Sequence, residues 1–343
     1  MKGTTIILDH WGDREAAARM IDGQLDDLLI DSDLPRPGAI YRAVAERPMK
    51  GQGGMFLKTP DGPAFLRQVK GLSPGDALLV QVTGYAEPGK AIPVTTRLLF
   101  KSRYVIVTPG APGLNVSRQI RDDDQRDALL EIVHETLAET PLPEGAGLIV
   151  RSGAHPDDAE AIVDDILAMR QLAQAVLADA TGGPELLVEG DGPHVLAWRE
   201  WIGPAEVDET PDGFSRHEVT ELVEALRDPR VALPTGGSML IEPTSALVAV
   251  DINTGGDTSP AAGLKANIAA FRDLPRQLRL RGLGGQIVID PAPVTKKDRR
   301  QLESVLKAAL KQDRTETVVA GWTVLGLLEL QRKRDRVALK ELI

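Results

Sequence analysis

Leu247-Val248-Ala249-Val250-Asp251-Ile252-Asn253-Thr254-Gly255 is an apolar run that stops at an acid and passes into turn-forming residues. Gly285-Gln286-Ile287-Val288-Ile289-Asp290-Pro291 repeats the device further along. Both runs have the length and β-branched content of buried strands. Asn and Gly after the first acid permit a tight turn. Two adjacent strands ending at the same sheet edge would bring the two carboxylates together. Open α/β sheets bind their ligands at the carboxyl ends of strands.

Around these runs, from Val231 onward, the chain has its most regular α/β pattern. Strands are expected at Ser238–Glu242, Ala246–Val250, Gly285–Ile289 and Thr317–Ala320, with helices near Leu264–Leu280 and Lys297–Lys311. Upstream, Pro156-Asp157-Asp158 opens a helix that carries Ile162, Ile166, Met169, Leu172 and Val176 at helical spacing. Asp122-Asp123-Asp124 precedes another helix, reaching Glu139, and Gly147–Ser152 reads as a strand with a polar exit. Between Ala39 and Thr108, short β segments alternate with Gly and Pro, which suggests a small OB-type barrel. Residues 4–8 read as a strand, and Asp22-Gly23 marks a hairpin within Ala16–Asp31.

Composition narrows the chemistry. The 343 residues are 42% hydrophobic, enough for more than one core. No apolar run approaches the length needed to cross a bilayer, and the N-terminal apolar stretch is too short for a signal peptide; a cytoplasmic protein is expected. There is no cysteine, and the five histidines are scattered, so disulfides, thiol nucleophiles and zinc sites are not expected. Any metal should be a hard cation on carboxylate oxygens. Net charge is −10, yet Lys265–Ile343 holds 17 Lys+Arg against 9 Asp+Glu. That asymmetry suggests a basic face able to recruit a phosphate polymer, or a merely solvated helix surface.

Two close carboxylates repel one another, and a divalent cation relieves the repulsion. Magnesium takes one or two carboxylates plus water and phosphate oxygens, and it can activate water and neutralise charge on a phosphate. Asn253 is placed to orient a carboxylate. The plainer alternative is that an acid after a strand only caps a helix or closes an Asx turn.

Four blocks resemble the catalytic region of the ribonuclease E/G family. They are Leu233-Pro234-Thr235-Gly236-Gly237-Ser238, Val250–Gly255, Arg276–Asp290 and Leu325–Arg334, in matching order and spacing. The resemblance implies an α/β multidomain fold. In it, a ribonuclease H-like region (1–36 and 183–228) is interrupted by an S1/OB β-barrel (37–108) and a 5′-sensor-like domain (109–182). A DNase I-like catalytic subdomain (229–343) follows. It also implies magnesium-assisted cleavage of single-stranded RNA to leave a 5′-phosphate and a 3′-hydroxyl. Asp251 and Asp290 are then similar to the family's metal-binding aspartates and Asn253 to their partner. Phe56 and Phe65 resemble the two S1 aromatics, and Lys90 a basic S1 residue. Arg151 and Ser152 fall where an Arg-Thr pair takes the 5′-monophosphate. Arg276, Arg279 and Arg281, with Lys296, Lys297, Arg299 and Arg300, would track RNA phosphates. Alternatively, Phe56 and Phe65 are barrel core and Arg151 a solvated turn residue.

The chain also departs from that pattern. Ala269 stands where a glutamate is expected, Pro291-Ala292-Pro293 replaces a segment that usually carries a further acid, and Pro275 enters an expected helix. Neither the family's cysteine-bearing zinc link nor a scaffold tail for degradosome partners is expected, so any homo-oligomer would be assembled without zinc. Two rival functions stay open. One is a non-catalytic RNA-binding protein with the same fold; the other is an unrelated magnesium phosphohydrolase acting on small molecules.

Overall fold

The computed structural model describes residues 3–49, 53–67 and 71–343. They form two compact units, one of residues 1–32 with 205–343 and one of residues 33–204. None of the described helices is long and apolar enough to cross a membrane.

The first unit begins with β1 (Thr4–Trp11), β2 (Arg14–Ile21) and β3 (Gln24–Ile30). Asp22 and Gly23 join β2 to β3 with φ of 49° and 80°, the left-handed pair that a two-residue hairpin with primed geometry requires. The chain returns to this unit after residue 204.

The second unit contains the expected barrel. β4 (Ile40–Met49), β5 (Gly54–Thr59), β6 (Gly62–Leu66), β7 (Ala77–Val82) and β8 (Ile92–Thr95) run in the order β4-β5-β6-β8-β7, and β4 pairs again with β7 to close the ring. Closure depends on the length of β4. Its first half pairs with β7 and its second with β5, across a register shift between Ala45 and Arg47. Tyr41, Ala43, Met55, Leu57, Ala64, Leu66, Val80 and Val94 fill the interior.

The barrel ends at Thr95, short of the expected residue 108. β9 (Phe100–Lys101) and β10 (Val105–Thr108) join β11 (Gly113–Val116) and β12 (Gly147–Val150) in a separate sheet of order β11-β12-β10-β9. Helices α1 (Asp123–Glu139) and α2 (Ala159–Ala178) cover it. Val105 and Val107 are fully buried against Leu129, Val133, Ile162 and Ile166, so hydrophobic burial assigns them to this layer. The side chain of Asp122 caps α1 by accepting from the Gln125 N–H at 2.8 Å. β13 (Glu185–Val188) then adds to the outside of β4, and α3 (Pro193–Glu200) ends the unit.

Back in the first unit, β14 (Glu206–Asp208) pairs in parallel with β1. The short helices α4 (Gly213–Arg216) and α5 (Val219–Ala225) pack Phe214, Val219 and Val223 onto Ile7, Ala18 and Leu28. A six-stranded sheet follows, made of β15 (Arg230–Ala232), β16 (Ser238–Pro243), β17 (Val248–Asn253), β18 (Gly285–Asp290), β19 (Thr317–Trp322) and β20 (Leu328–Arg332). Its order is β15-β16-β17-β18-β20-β19. Only β17 and β18 run parallel, and α6 (Ala262–Leu280) is the crossover between them. With α7 (Arg299–Gln312), α6 buries the face carrying Val248, Val250, Ile252, Ile287 and Ile289. The helix continues past Pro275, which is buried.

The far end of α6 is fixed to β3 by charge. Arg279 pairs with Asp26 and Asp27 at 3.3 Å and with Asp313 at 2.5 Å; Arg336 reaches Asp27 at 2.6 Å, and Arg332 reaches Asp313 at 2.6 Å. Asp27 is fully buried. Burial alone would push its carboxyl up, but the Arg336 and Arg279 guanidiniums overcome that and hold it well below the usual range. Removing one partner leaves buried charge uncompensated. Asp27→Ala is therefore expected to lower unfolding free energy by about 3–5 kcal/mol in urea denaturation. Because the folded carboxyl titrates below the unfolded one, its contribution is complete above about pH 4 and fades as pH falls through the folded value; Asp27→Ala should flatten that acid limb.

Candidate active site

β17 and β18 pair in the register Val248↔Ile287, Ala249↔Val288, Val250↔Ile289 and Asp251↔Asp290. The two aspartates are thus direct neighbours at the carboxyl end of this sheet's parallel pair. Strand side chains alternate. Val250, Ile252 and Ile289 point into the core, so Asp251, Asn253 and Asp290 share the opposite face, where all three are exposed. Asn253, two residues beyond Asp251, donates its amide N–H to Asp251 Oδ2 at 2.6 Å.

The loops around the pair are held by close backbone packing. A Cβ on Gly237 would lie 2.1 Å from the Asn253 carbonyl oxygen, so only glycine lets the Thr235–Gly237 turn close on the end of β17. Beyond β18, Ala292 is buried, and its backbone is held at both groups by the fully buried Asn267 of α6. The Asn267 amide N–H donates to the Ala292 carbonyl at 2.8 Å, and its oxygen accepts from the Ala292 N–H at 3.0 Å. Asn267 was not among the residues singled out from sequence. Its signal there is a polar residue within the apolar face formed by Ala266, Ala270 and Phe271.

Asp251 and Asp290 could offer carboxylate oxygens to a hard cation such as magnesium, which needs only one or two protein carboxylates, with Asn253 orienting the Asp251 carboxylate. Among the described residues, no group of three or more His, Cys, Asp or Glu is placed to hold a metal, so the ion would rely on water and substrate oxygens for its other ligands. Ala269 packs against the core of the sheet. That position therefore lies on the helix-covered side, away from the aspartate pair.

The other sequence-chosen residues divide. Phe56 and Phe65 are register partners on β5 and β6, with ring centroids 5.1 Å apart, and Arg47 lies 5.0 Å over the Phe56 ring. Their neighbours Met55, Leu57, Ala64 and Leu66 line the interior, so both rings stand on the outer surface and are not core. Lys90 is exposed and pairs with Glu87 at 2.8 Å. Arg151 is engaged within the protein, donating to the Ser102 carbonyl and to Glu200 at 2.6 Å. Burial would raise the Glu200 carboxyl, but Arg151 and Arg199 bring it below its ordinary value, so it stays ionised. Ser152 is exposed on the turn.

Three arginines expected to track RNA do something else. Arg276 bonds Asp273 and the Leu25 carbonyl, Arg279 is buried among aspartates, and Arg281 is buried against Gln277 and the Asp228 carbonyl. Most of their donors are engaged in fixing α6, so the bonds these three arginines make are structural ones. Arg299 is likewise stacked 4.7 Å over Trp322. Lys296, Lys297 and Arg300 are exposed, close in sequence to Asp290.

A model of the ribonuclease E/G family matches residues 100–210 and 205–335. Ribonuclease E of Nostoc sp. is 29% identical over 388 aligned positions, covering 96% of this chain and 56% of that protein. Ribonuclease E of Escherichia coli is 30% identical over 311 positions, with coverage of 79% and 29%. Ribonuclease G of Escherichia coli is 29% identical over 312 positions, with coverage of 78% and 62%. The chain spans less than two thirds of each of these relatives. With the family model matching well over half its length, the chain belongs to the ribonuclease E/G family.

Proposed function

We propose that this protein is an endoribonuclease that hydrolyses single-stranded RNA at the Asp251–Asp290 pair with help from magnesium, leaving a 5′-phosphate and a 3′-hydroxyl. The observation that carries this proposal is the register that sets the two exposed carboxylates side by side. Water forms a bond to phosphorus as the bond from phosphorus to the 3′-oxygen breaks, and the departing 3′-oxygen takes a proton. When bound, the ion supplies charge neutralisation at the phosphate and activates water. Asp251 and Asp290 supply the negative charge that holds it there. Asn253 keeps the Asp251 carboxylate in one orientation through its 2.6 Å hydrogen bond. Lys296, Lys297 and Arg300 offer exposed positive charge for the adjacent phosphates.

The barrel supplies base recognition without sequence selectivity. Phe56 and Phe65 lie half-buried outside the barrel interior, packed on each other with Arg47 over the Phe56 ring, and would meet bases at their remaining exposed surface. Arg151 and Ser152 would meet a 5′-phosphate, with Glu200 competing for the Arg151 guanidinium. We assign residues 1–36 with 183–228, 37–108, 109–182 and 229–343 to the family's ribonuclease H-like, S1, 5′-sensor-like and DNase I-like parts. RNA processing or decay is the corresponding role. A non-catalytic RNA-binding protein is the less favoured alternative, because both carboxylates are present and aligned.

Asp251→Asn and Asp290→Asn should each reduce cleavage of a labelled single-stranded oligonucleotide on the order of a thousandfold, as several kcal/mol of charge stabilisation is lost. RNA affinity and melting temperature should stay near wild type. Phe56→Ala should weaken RNA binding by about 1–3 kcal/mol in fluorescence anisotropy, again with little thermal shift, since the ring is outside the barrel core.

A further inference from the structure

We infer that Asn267 is a positioning residue for Asp290, holding the metal-binding carboxylate in place through the backbone of Ala292; this rests on the assignment of Asp251 and Asp290 as the metal site. The ladder between β17 and β18 ends at the pair Asp251↔Asp290. Beyond it, Pro291 has no N–H to give. Ala292 is buried, and both of its backbone groups need partners that the sheet no longer offers. Asn267 supplies both, one donor and one acceptor on a single rigid carboxamide. The side chain thereby acts as one more rung of the ladder.

A buried amide in an apolar core is costly unless it is bonded, and here both of its polar atoms are bonded to Ala292. What the amide adds is a fixed exit path for the chain leaving Asp290. Gly263 presses the same segment from one turn earlier on α6. A Cβ at Gly263 would lie 2.1 Å from the Pro293 carbonyl oxygen. Two residues of one helix therefore set where residues 291–293 run, and so where the Asp290 carboxylate is held relative to Asp251. Loss of an outer partner of a metal ligand typically costs about 10–100-fold in metal affinity or activity.

The test titrates Mn2+ alone against the full chain, reading free Mn2+ by electron paramagnetic resonance, with cleavage kinetics in parallel. Asn267→Ala should weaken Mn2+ affinity at least about tenfold and lower kcat by a similar factor, leaving KM for RNA near wild type. Leu306→Ala, a fully buried α7 core position, serves as a control for destabilisation alone; its Mn2+ affinity should match wild type. Gly263→Ala displaces the same segment by a different contact and should also weaken Mn2+ binding, which keeps the test decisive if Asn267→Ala fails to fold. Wild-type Mn2+ affinity in folded Asn267→Ala or Gly263→Ala, with binding lost in Asp251→Asn, would overturn the role of Asn267 and leave the metal site standing. Equal Mn2+ affinity in wild type and Asp251→Asn would instead remove the site itself.

Discussion

The register between β17 and β18 is the constraint on which the proposed chemistry depends. Side chains on a strand alternate with a period of two, so a slip of one residue would turn Asp251 into the core and expose Val250 or Ile252. The hydrophobic core forbids that slip, because Val250, Ile252, Ile287 and Ile289 are all needed beneath the sheet. Burial of apolar area thus fixes the position of two charged groups that take no part in it. A parallel pair also requires a crossover, and α6 is that crossover. Its first half meets the exit of β18 through Gly263 and Asn267, and its second half is secured to β3 through Arg276 and Arg279. One helix connects the aspartate pair to the buried charge network of Asp27, Asp313, Arg332 and Arg336.

Much of this organisation was legible in the sequence. Apolar runs ending in acids located both β17 and β18, and the Asp22-Gly23 turn located the hairpin of β2 and β3. Gly- and Pro-punctuated strands located the barrel. The far boundary of the barrel was not legible, because Val105 and Val107 are apolar in either setting and only their partners, Leu148 and Val150, decide the sheet. β20 is not legible as a strand because an inward-facing position carries Arg332, which is buried on Asp313.

The arginines of α6 show the same limit. Their sequence suggests a basic surface, yet Asp26 and Asp27, which absorb their charge, lie about 250 residues away in the chain. Charge is visible in a sequence, whereas the partner that neutralises it is a property of the fold. Phe56 and Phe65 teach the converse. In the sequence, barrel core weighs at least as heavily as surface for each, and the alternation with Met55, Leu57, Ala64 and Leu66 places both rings outside the interior.

Membership of the ribonuclease E/G family and the paired aspartates support a single claim, that Asp251 and Asp290 work together on one phosphodiester. The most direct test is a double-mutant cycle in kcat/KM for one single-stranded oligonucleotide, using Asp251→Asn, Asp290→Asn and the double variant. Groups that serve one ion are strongly non-additive, so the double variant should lose little more than the worse single variant. Losses that multiply would contradict a shared site.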